Sequence, residues 1–206
     1  TRRSSDLILY EKYKIKFEPD KDHQNFKLIE EHLLKNVKNG KPNLWIHTDY
    51  NVNARNWLSF NSRNSSKLNQ PYIKLCIDTI IKWSGDSCNI CLINDDTFDR
   101  LLNNWNINLD NLPEPLKKRT RHLGLLRIIH KYGGVIMPNS FLMMRDFKPF
   151  HDKYLGAKSC FVGEFLTRNK HSSEKPFFPN IRLLGCKKNC KVIKLLCDNI
   201  TADLSV

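Results

Sequence analysis

The stretch LGLLRIIHKYGGVIM, residues 123–137, runs from a helix directly into a strand. Its apolar residues recur three and four apart up to Tyr132, which is the spacing of an amphipathic helix. Gly133 and Gly134 then predict the end of that helix, because glycine readily adopts the backbone conformation found just past a helix. The apolar run from Val135 to Met137 is typical of a strand buried on both faces. This junction favours an α/β fold.

Helices and strands alternate along the rest of the chain in the same way. Apolar periodicity predicts helices at residues 23–38, from Pro71, from Phe98, at 116–132 and from about Lys188. Short apolar runs predict strands at residues 43–47, 88–93, 134–137, 141–144, 160–165 and 181–186, and residues 51–69 are expected to form a long loop. The alternation predicts a single domain over residues 1–206, a three-layer α/β structure with a mostly parallel central sheet.

Polar residues follow three of the predicted strands, at the point where each strand ends. They are His47-Thr48-Asp49, Asn94-Asp95-Asp96 and Pro138-Asn139-Ser140. In an open α/β sheet, ligands bind beyond the carboxyl ends of the strands. We therefore expect a binding site among these three segments, although any one of them also fits an ordinary polar turn. Asp95 and Asp96 are expected to cap the helix that follows them.

The charge of the chain favours anionic partners. Its 206 residues include 34 Lys and Arg against 21 Asp and Glu, a formal net charge of +13. Every Lys, Arg, Asp or Glu between Leu116 and Arg145 is a Lys or an Arg. Such a balance is typical of proteins that meet nucleotides, nucleic acid or an acidic membrane or glycan surface, and equally of a basic solvated face.

The sequence argues against nucleic acid as the partner. Trp57 and Phe60 lie beside Arg55 and Arg63, an arrangement that suits single strands. However, none of the common nucleic-acid-binding motifs is present. The chain also lacks the dinucleotide fingerprint, the P-loop, the GxSxG nucleophile elbow and the HExxH zinc motif.

The seven cysteines favour free thiols. An odd number excludes a fully paired disulfide framework. Cys88 and Cys91, and Cys186 and Cys190, have spacings found in zinc sites, but residues three apart on a strand face opposite sides. We expect buried thiols without zinc, in an intracellular or virion-associated protein rather than a disulfide-stabilised secreted one. A membrane anchor upstream of Thr1 stays open, because we expect a chain trimmed at both ends.

The helix that ends in Tyr-Gly-Gly before an apolar strand resembles the capsular-polysaccharide-synthesis and DXD sugar-transferase families. These are glycosyltransferases of the GT-A (nucleotide-diphospho-sugar transferase) fold, and the versions carried by large DNA viruses are the most similar. The resemblance extends to residues 44–49 and 91–98, so that it spans about Pro42 to Cys197. It implies a nucleotide-sugar donor, a glycan or protein acceptor, and transfer of a hexose.

The resemblance also implies where a donor would bind, although it identifies no catalytic residue. Base and ribose contacts would come from the end of the first strand, the diphosphate contact from the helix before Gly133, and the far lip from the loop after residue 137. These positions hold His47, Thr48, Asp49, Arg121, Asn139 and Ser140. Arg127 is six residues from Arg121, so the two side chains cannot face the same groove, and we favour Arg121.

This chain departs from the family at its signature positions. Arg121, His122 and Leu125 stand where the family has Ser, Asp and Arg, and Pro138-Asn139-Ser140 stands where it has Asp-x-Asp. That carboxylate pair holds Mn²⁺ or Mg²⁺ on the donor diphosphate. We therefore expect no divalent metal at 138–140 and no other cofactor, and cationic side chains would have to contact the diphosphate directly.

Two hypotheses follow from these departures. One is a glycosyltransferase that works without a metal at the DXD position. The other is a degenerate glycosyltransferase fold that serves as a structural or interaction protein of a virion or membrane surface.

Overall fold

A computed structural model of the chain describes residues 40–48, 72–164 and 177–205. The predicted helix at 23–38, the predicted loop at 51–69 and Asp49 lie outside these residues. The described residues fold as a mixed α/β domain around one open five-stranded sheet.

The observed elements follow the predicted order closely. The strands are β1 (Asn43–His47), β2 (Asn89–Ile93), β3 (Gly134–Met137), β4 (Cys160–Glu164) and β5 (Pro179–Cys186). The α-helices are α1 (Tyr72–Ser84), α2 (Phe98–Leu101), α3 (Glu114–Tyr132), α4 (Lys148–Gly156) and α5 (Lys191–Leu204), with 3-10 helices at Asp95–Thr97 and Leu109–Asn111. The strands predicted at 43–47, 88–93 and 134–137 are confirmed, the second beginning one residue later than predicted.

The sheet has the strand order β2-β1-β3-β5-β4. β1 pairs in parallel with both β2 and β3, whereas β5 pairs antiparallel with both β3 and β4. Among the five described strands, β5 alone therefore runs against the others. The chain places β2 on one side of β1 and β3 on the other, so the order reverses at β1.

Two hydrophobic cores cover the two faces of the sheet. On one face, α1 and α4 pack through Ile80 and Leu155 against Leu44 and Leu92. The opposite face is covered by α2, α3 and α5, which pack against residues that alternate with the first set along the same strands, namely Trp45, Cys91, Ile93 and Ile136. Because both faces are covered, the runs Leu44–Ile46, Ile90–Ile93 and Val135–Met137 are apolar at every position, as the sequence predicts for parallel strands.

The junction between α3 and β3 depends on its two glycines. The Gly133 N–H donates to the carbonyl of Ile129 and closes α3, and the Trp45 indole N–H donates to the Gly133 carbonyl at 2.9 Å. Gly134 has φ +108°, and a Cβ there would lie 2.3 Å from the Asn43 carbonyl oxygen. This position therefore needs glycine so that β3 can pair directly with β1.

The prediction of a strand at 141–144 is wrong. This segment pairs with no described strand, although its residues alternate between the two sides: Met143 is buried, and Leu142 and Met144 are exposed. The Met143 N–H donates instead to the Thr79 hydroxyl of α1 at 3.1 Å. The alternation reflects packing of an extended segment on α1, and α4, which follows it, was not predicted.

Candidate functional site

A cavity opens at the point where the strand order reverses. It has a volume of about 340 Å³ and lies beyond the carboxyl ends of β1 and β3. Its polar lining consists of His47 at the end of β1, Arg121 and His122 on α3, Asn139 and Ser140 after β3, and Arg182 on β5. We call it the switch-point pocket. Its volume falls in the range of about 300–1,000 Å³ that is typical of small-molecule sites, and its location is the one at which open α/β sheets bind ligands.

Four of the six residues predicted to bind the donor line this pocket: His47, Arg121, Asn139 and Ser140. Thr48 is not among the lining residues, contrary to the expectation that it bonds a base edge. It is 3% exposed, and its backbone N–H donates to the Ile93 carbonyl on β2 at 2.9 Å. Asp49 lies outside the described residues.

Arg121 has an ion-pair partner behind the pocket. Its Nε donates to Asp95 Oδ1 at 2.8 Å and its Nη2 donates to Oδ2 at 2.6 Å, a bidentate pair. His47 Nε2 lies 2.8 Å from the same Asp95 Oδ1. The three side chains are between 11% and 17% exposed, so this cluster is largely withdrawn from water.

The charge of Asp95 is stabilised by both partners. Burial alone would raise the pKa of Asp95, but the hydrogen bonds and charges of Arg121 and His47 outweigh it and hold that pKa well below its usual range. Asp95 therefore carries a full negative charge at neutral pH and neutralises the charge of Arg121.

The expectation that Asp95 and Asp96 cap the next helix is wrong, since Asn94 is the N-cap and its backbone exchanges hydrogen bonds with the Thr97 hydroxyl.

The His47 ring is held on its face as well as at its edge. It stacks on Phe98 with ring centroids 5.9 Å apart and an interplanar angle of 15°. Phe98 itself is fully buried, and its ring lies against Gly124 of α3, where an added Cβ would be 3.1 Å from the ring. A small residue in the middle of α3 thus allows the approach of Phe98 that positions His47.

Two basic residues of the pocket, His122 and Arg182, were not predicted from the sequence as binding residues. His122 is half-buried on α3, and Arg182 is exposed on β5. Burial lowers the pKa of His122, and the nearby positive charges of Lys118, Arg121 and Arg182, and of His47, lower it further. In the described part of the chain, no carboxylate lies within 4 Å of the Arg182 guanidinium. Among the described residues, therefore, no carboxylate neutralises the charge that Arg182 presents to the pocket.

The carboxylates that follow β2 surround a different cavity. This second cavity, of about 330 Å³, is lined by acidic and apolar residues that include Asp95, Asp96, Asp99 and Asp110. No carboxylate is among the described residues that line the switch-point pocket. Asp95 thus lies between an acidic cavity and a basic one, and the sequence-predicted acidic strand end does not contribute to the basic pocket directly.

Arg127 points away from the switch-point pocket, as the helical spacing predicts. Its Nη2 lies 3.3 Å from the Thr201 hydroxyl on α5, and its guanidinium lies over the Trp105 ring at 5.9 Å from the centroid. Arg127 therefore joins α5 to α3, and it leaves Arg121 as the arginine of α3 that reaches the pocket.

The loop after β3, at residues 138–141, forms a closed turn. The Phe141 N–H donates to the Pro138 carbonyl at 3.1 Å, with Asn139 and Ser140 at the two central positions. Within residues 40–48, 72–164 and 177–205, no group of three or more His, Cys, Asp or Glu side chains is arranged to hold a metal ion. The absence of a divalent ion at this turn stays a prediction.

The four cysteines of the two predicted pairs do not converge on one point. Cys88 belongs to the core that α1 and α4 cover, whereas Cys91 belongs to the opposite core, as residues three apart on a strand should. All seven cysteines are free thiols. None of the described helices is long and apolar enough to span a bilayer.

Comparison of the chain with family models, with curated proteins and with solved structures finds no match in any of the three. The geometry and charge of the switch-point pocket are therefore the features that indicate a function.

Proposed function

We propose that the chain is a domain of GT-A type that binds a nucleotide sugar in the switch-point pocket and transfers its hexose to a glycan or protein acceptor without a metal at residues 138–140. One observation carries this proposal: a cationic cavity lies at the switch point of the sheet. The diphosphate is the most strongly charged part of a nucleotide sugar, so a cationic cavity at the usual ligand position suits it.

The arrangement of the strands supports the same class of ligand. β1 and β3 are parallel neighbours, and their carboxyl ends supply His47 on one side of the pocket and Asn139 and Ser140 on the other. The amide and hydroxyl of these last two residues can donate to or accept from sugar hydroxyls and phosphate oxygens. The antiparallel strand β5 closes the third side of the pocket and contributes Arg182.

The leaving group of a sugar transfer explains why cationic side chains are needed here. The nucleoside diphosphate gains negative charge as its bond to the sugar breaks, and positive groups fixed near it stabilise that charge. In DXD enzymes a metal ion supplies the positive charge. In this chain it would come from side chains, because Pro138 provides only a carbonyl and that carbonyl already accepts the Phe141 N–H.

The first experiment is a thermal-shift screen of UDP-, GDP- and other nucleotide sugars against the full chain, in EDTA and in Mn²⁺. A ligand at about 100 times its dissociation constant should stabilise the fold by about 2.7 kcal/mol. We expect stabilisation by at least one nucleotide sugar in EDTA. If no nucleotide sugar stabilises the chain in either condition, the proposal is wrong.

A gain-of-metal variant tests whether the loop after β3 faces the bound diphosphate. The double substitution Pro138→Asp with Ser140→Asp restores two carboxylates two residues apart, the ligand chemistry of Mn²⁺. We expect Mn²⁺ to tighten nucleotide-sugar binding in this variant and not in the parent. The matched control is Asp96→Asn, which changes an exposed carboxylate of the acidic cavity and should leave the Mn²⁺ response of the parent unchanged.

A second candidate function is that of a degenerate scaffold at a virion or membrane surface. It is favoured by the ion pair between Arg121 and Asp95, which engages the arginine that the resemblance places at the diphosphate. The closed turn at residues 138–140 also favours this second function, because the Pro138 carbonyl already accepts the Phe141 N–H. Under this hypothesis the nucleotide-sugar screen gives no response, and the chain instead sediments with vesicles that contain anionic lipid in a salt-dependent manner.

A further inference from the structure

We infer that Arg182 and His122 form a phosphate subsite of the switch-point pocket, which holds a diphosphate without a divalent metal and binds it more tightly as the pH falls. The inference deepens the proposed function and relies on it only in assigning the diphosphate to a nucleotide sugar. The subsite itself would take any compact phosphate dianion, whether free or part of a nucleotide.

The distribution of charge around the pocket assigns this role to Arg182 rather than to Arg121. Both arginines line the cavity, but Arg121 makes a bidentate ion pair with Asp95 that already neutralises it. Arg182 is exposed and has no carboxylate within 4 Å among the described residues. A guanidinium presents a planar fork of donors that matches a phosphate, so Arg182 can contact an entering anion without first breaking an ion pair.

His122 is placed to add a second positive charge when the anion is present. It lines the same cavity and is half-buried on α3. The charged and titratable groups that face it are Lys118 and Arg121 on its own helix, Arg182 on β5 and His47 on β1. All four are basic, and together with burial they lower the pKa of His122, so the free imidazole is neutral at pH 7.

A bound phosphate dianion reverses that balance. Its negative charge beside the ring favours the imidazolium, so the pKa of His122 rises on binding. Over the interval between the lower pKa of the free protein and the higher pKa of the complex, binding takes up a proton. Affinity therefore increases as the pH falls through that interval. The charge that a metal ion would otherwise supply comes from Arg182 and from this captured proton.

The test is calorimetric titration of the full chain with inorganic pyrophosphate in EDTA, using the parent and four variants. Arg182→Gln removes the charge and keeps most of the side-chain length, and His122→Asn removes the titrating group. The matched control is Arg119→Gln, which removes one charge from an exposed position of α3 that does not line the pocket. Arg182→Lys tests recovery by a residue that keeps the charge, and circular dichroism melts of all five proteins show whether each variant is folded.

We expect the parent to bind pyrophosphate in EDTA and Arg182→Gln to bind about tenfold more weakly or worse, as for loss of a charge-assisted hydrogen bond. Arg119→Gln should bind like the parent, and Arg182→Lys should recover part of the loss. Between about pH 8 and pH 6 the parent should bind more tightly as the pH falls, and His122→Asn should lose that added dependence. Pyrophosphate itself titrates in this range, but its ionisation is common to both proteins, and sulfate serves as a dianion that does not titrate there.

The inference is overturned if pyrophosphate binds the parent only with Mn²⁺ or Mg²⁺, or not at all. It is also overturned if Arg182→Gln and His122→Asn bind like Arg119→Gln. The proposed function fails separately. If Arg182 and His122 hold pyrophosphate but nucleotide sugars bind no more tightly than pyrophosphate, the subsite stands and the nucleotide-sugar assignment is wrong. If nucleotide sugars bind independently of both residues, only the subsite is wrong.

Discussion

Replacing Asp95 with asparagine should lower the free energy of unfolding more than replacing an exposed aspartate such as Asp110. Asp95→Asn keeps the shape of the side chain and removes its negative charge. In the parent, this carboxylate accepts two hydrogen bonds from Arg121 and contacts His47 Nε2 at 2.8 Å. Since the Arg121 side chain is 16% exposed, the variant leaves a guanidinium that water can reach only in part and that has lost its counter-charge.

The expected loss is about 3 kcal/mol of the free energy of unfolding. Breaking a buried ion pair by removing one partner costs about 3–5 kcal/mol, and the residual exposure of this cluster favours the lower end. The matched control is Asp110→Asn. Asp110 pairs with Lys117 at 2.9 Å, but its side chain is 76% exposed. Pairs of that kind contribute about 1 kcal/mol or less, so the control should change stability little.

The assay is urea unfolding of the parent and both variants at several pH values. The folded-state pKa of Asp95 lies below the unfolded-state value of about 3.9, so the stability that its charge contributes is fully present above that value. It is lost as the pH falls through the folded-state pKa. The difference between the parent and Asp95→Asn should therefore be present at pH 5 and above and should shrink below about pH 4.

A double-mutant cycle with Arg121→Gln isolates the pair. The double variant should be less destabilised than the sum of the single variants, because neither partner is then left charged and unpaired. These expectations are refuted if Asp95→Asn costs no more than Asp110→Asn, or if the difference between the parent and Asp95→Asn does not shrink below about pH 4.

Two further predictions concern the junction and the thiols. In urea unfolding, Gly134→Ala should destabilise the chain by about 2 kcal/mol or more, because the residue has φ +108° and an added Cβ would overlap a backbone oxygen of β1. The control is Gly156→Ala, whose Cβ would meet no atom within 4 Å and which should be nearly neutral in the same assay. Iodoacetamide at pH 8 followed by peptide mass spectrometry should label Cys160, which is partly exposed, before Cys91 and Cys186, since burial raises the pKa of each of those two thiols to about 12. Equal stability of the two glycine variants, or early labelling of Cys91, would contradict these expectations.

The parallel half of the sheet could be predicted from the sequence because its signals are local. β1, β2 and β3 are short apolar runs, and the end of α3 is marked by Gly133 and Gly134. The strand predicted at 141–144 was wrong because buried and exposed residues alternate in the same way whether the backbone bonds to another strand or, as here, to a hydroxyl of α1. A period of two reports which residues face a core, and it does not report what supplies the hydrogen bonds.

The location of the pocket could be predicted from the sequence, but the arrangement of charged side chains around it could not. Ends of parallel strands meet at one edge of a sheet, so His47, Asn139 and Ser140 could be brought together from sequence alone. Arg182 could not, because its place depends on β5 pairing with β3 rather than with another strand. Such pairings between distant segments leave no mark in the local sequence. The ion pair between Arg121 and Asp95 was missed for the same reason, since 26 positions separate the two residues.

Under the proposed function, the neutral residues at 138–140 and the basic lining of the switch-point pocket act together electrostatically. A cavity that contains Arg182 and Arg121 beside His122, with no carboxylate among its described lining residues, repels a divalent cation and attracts a phosphate. Carboxylates at positions 138 and 140 would reverse that sign locally and would offer Arg182 a partner in place of the ligand. With neutral side chains at 138 and 140, neither position offers Arg182 a carboxylate that competes with a phosphate. The degenerate-scaffold hypothesis does not require Arg182 to bind phosphate, whereas the proposed function does, so the behaviour of Arg182 is the most direct test of whether the pocket binds phosphate.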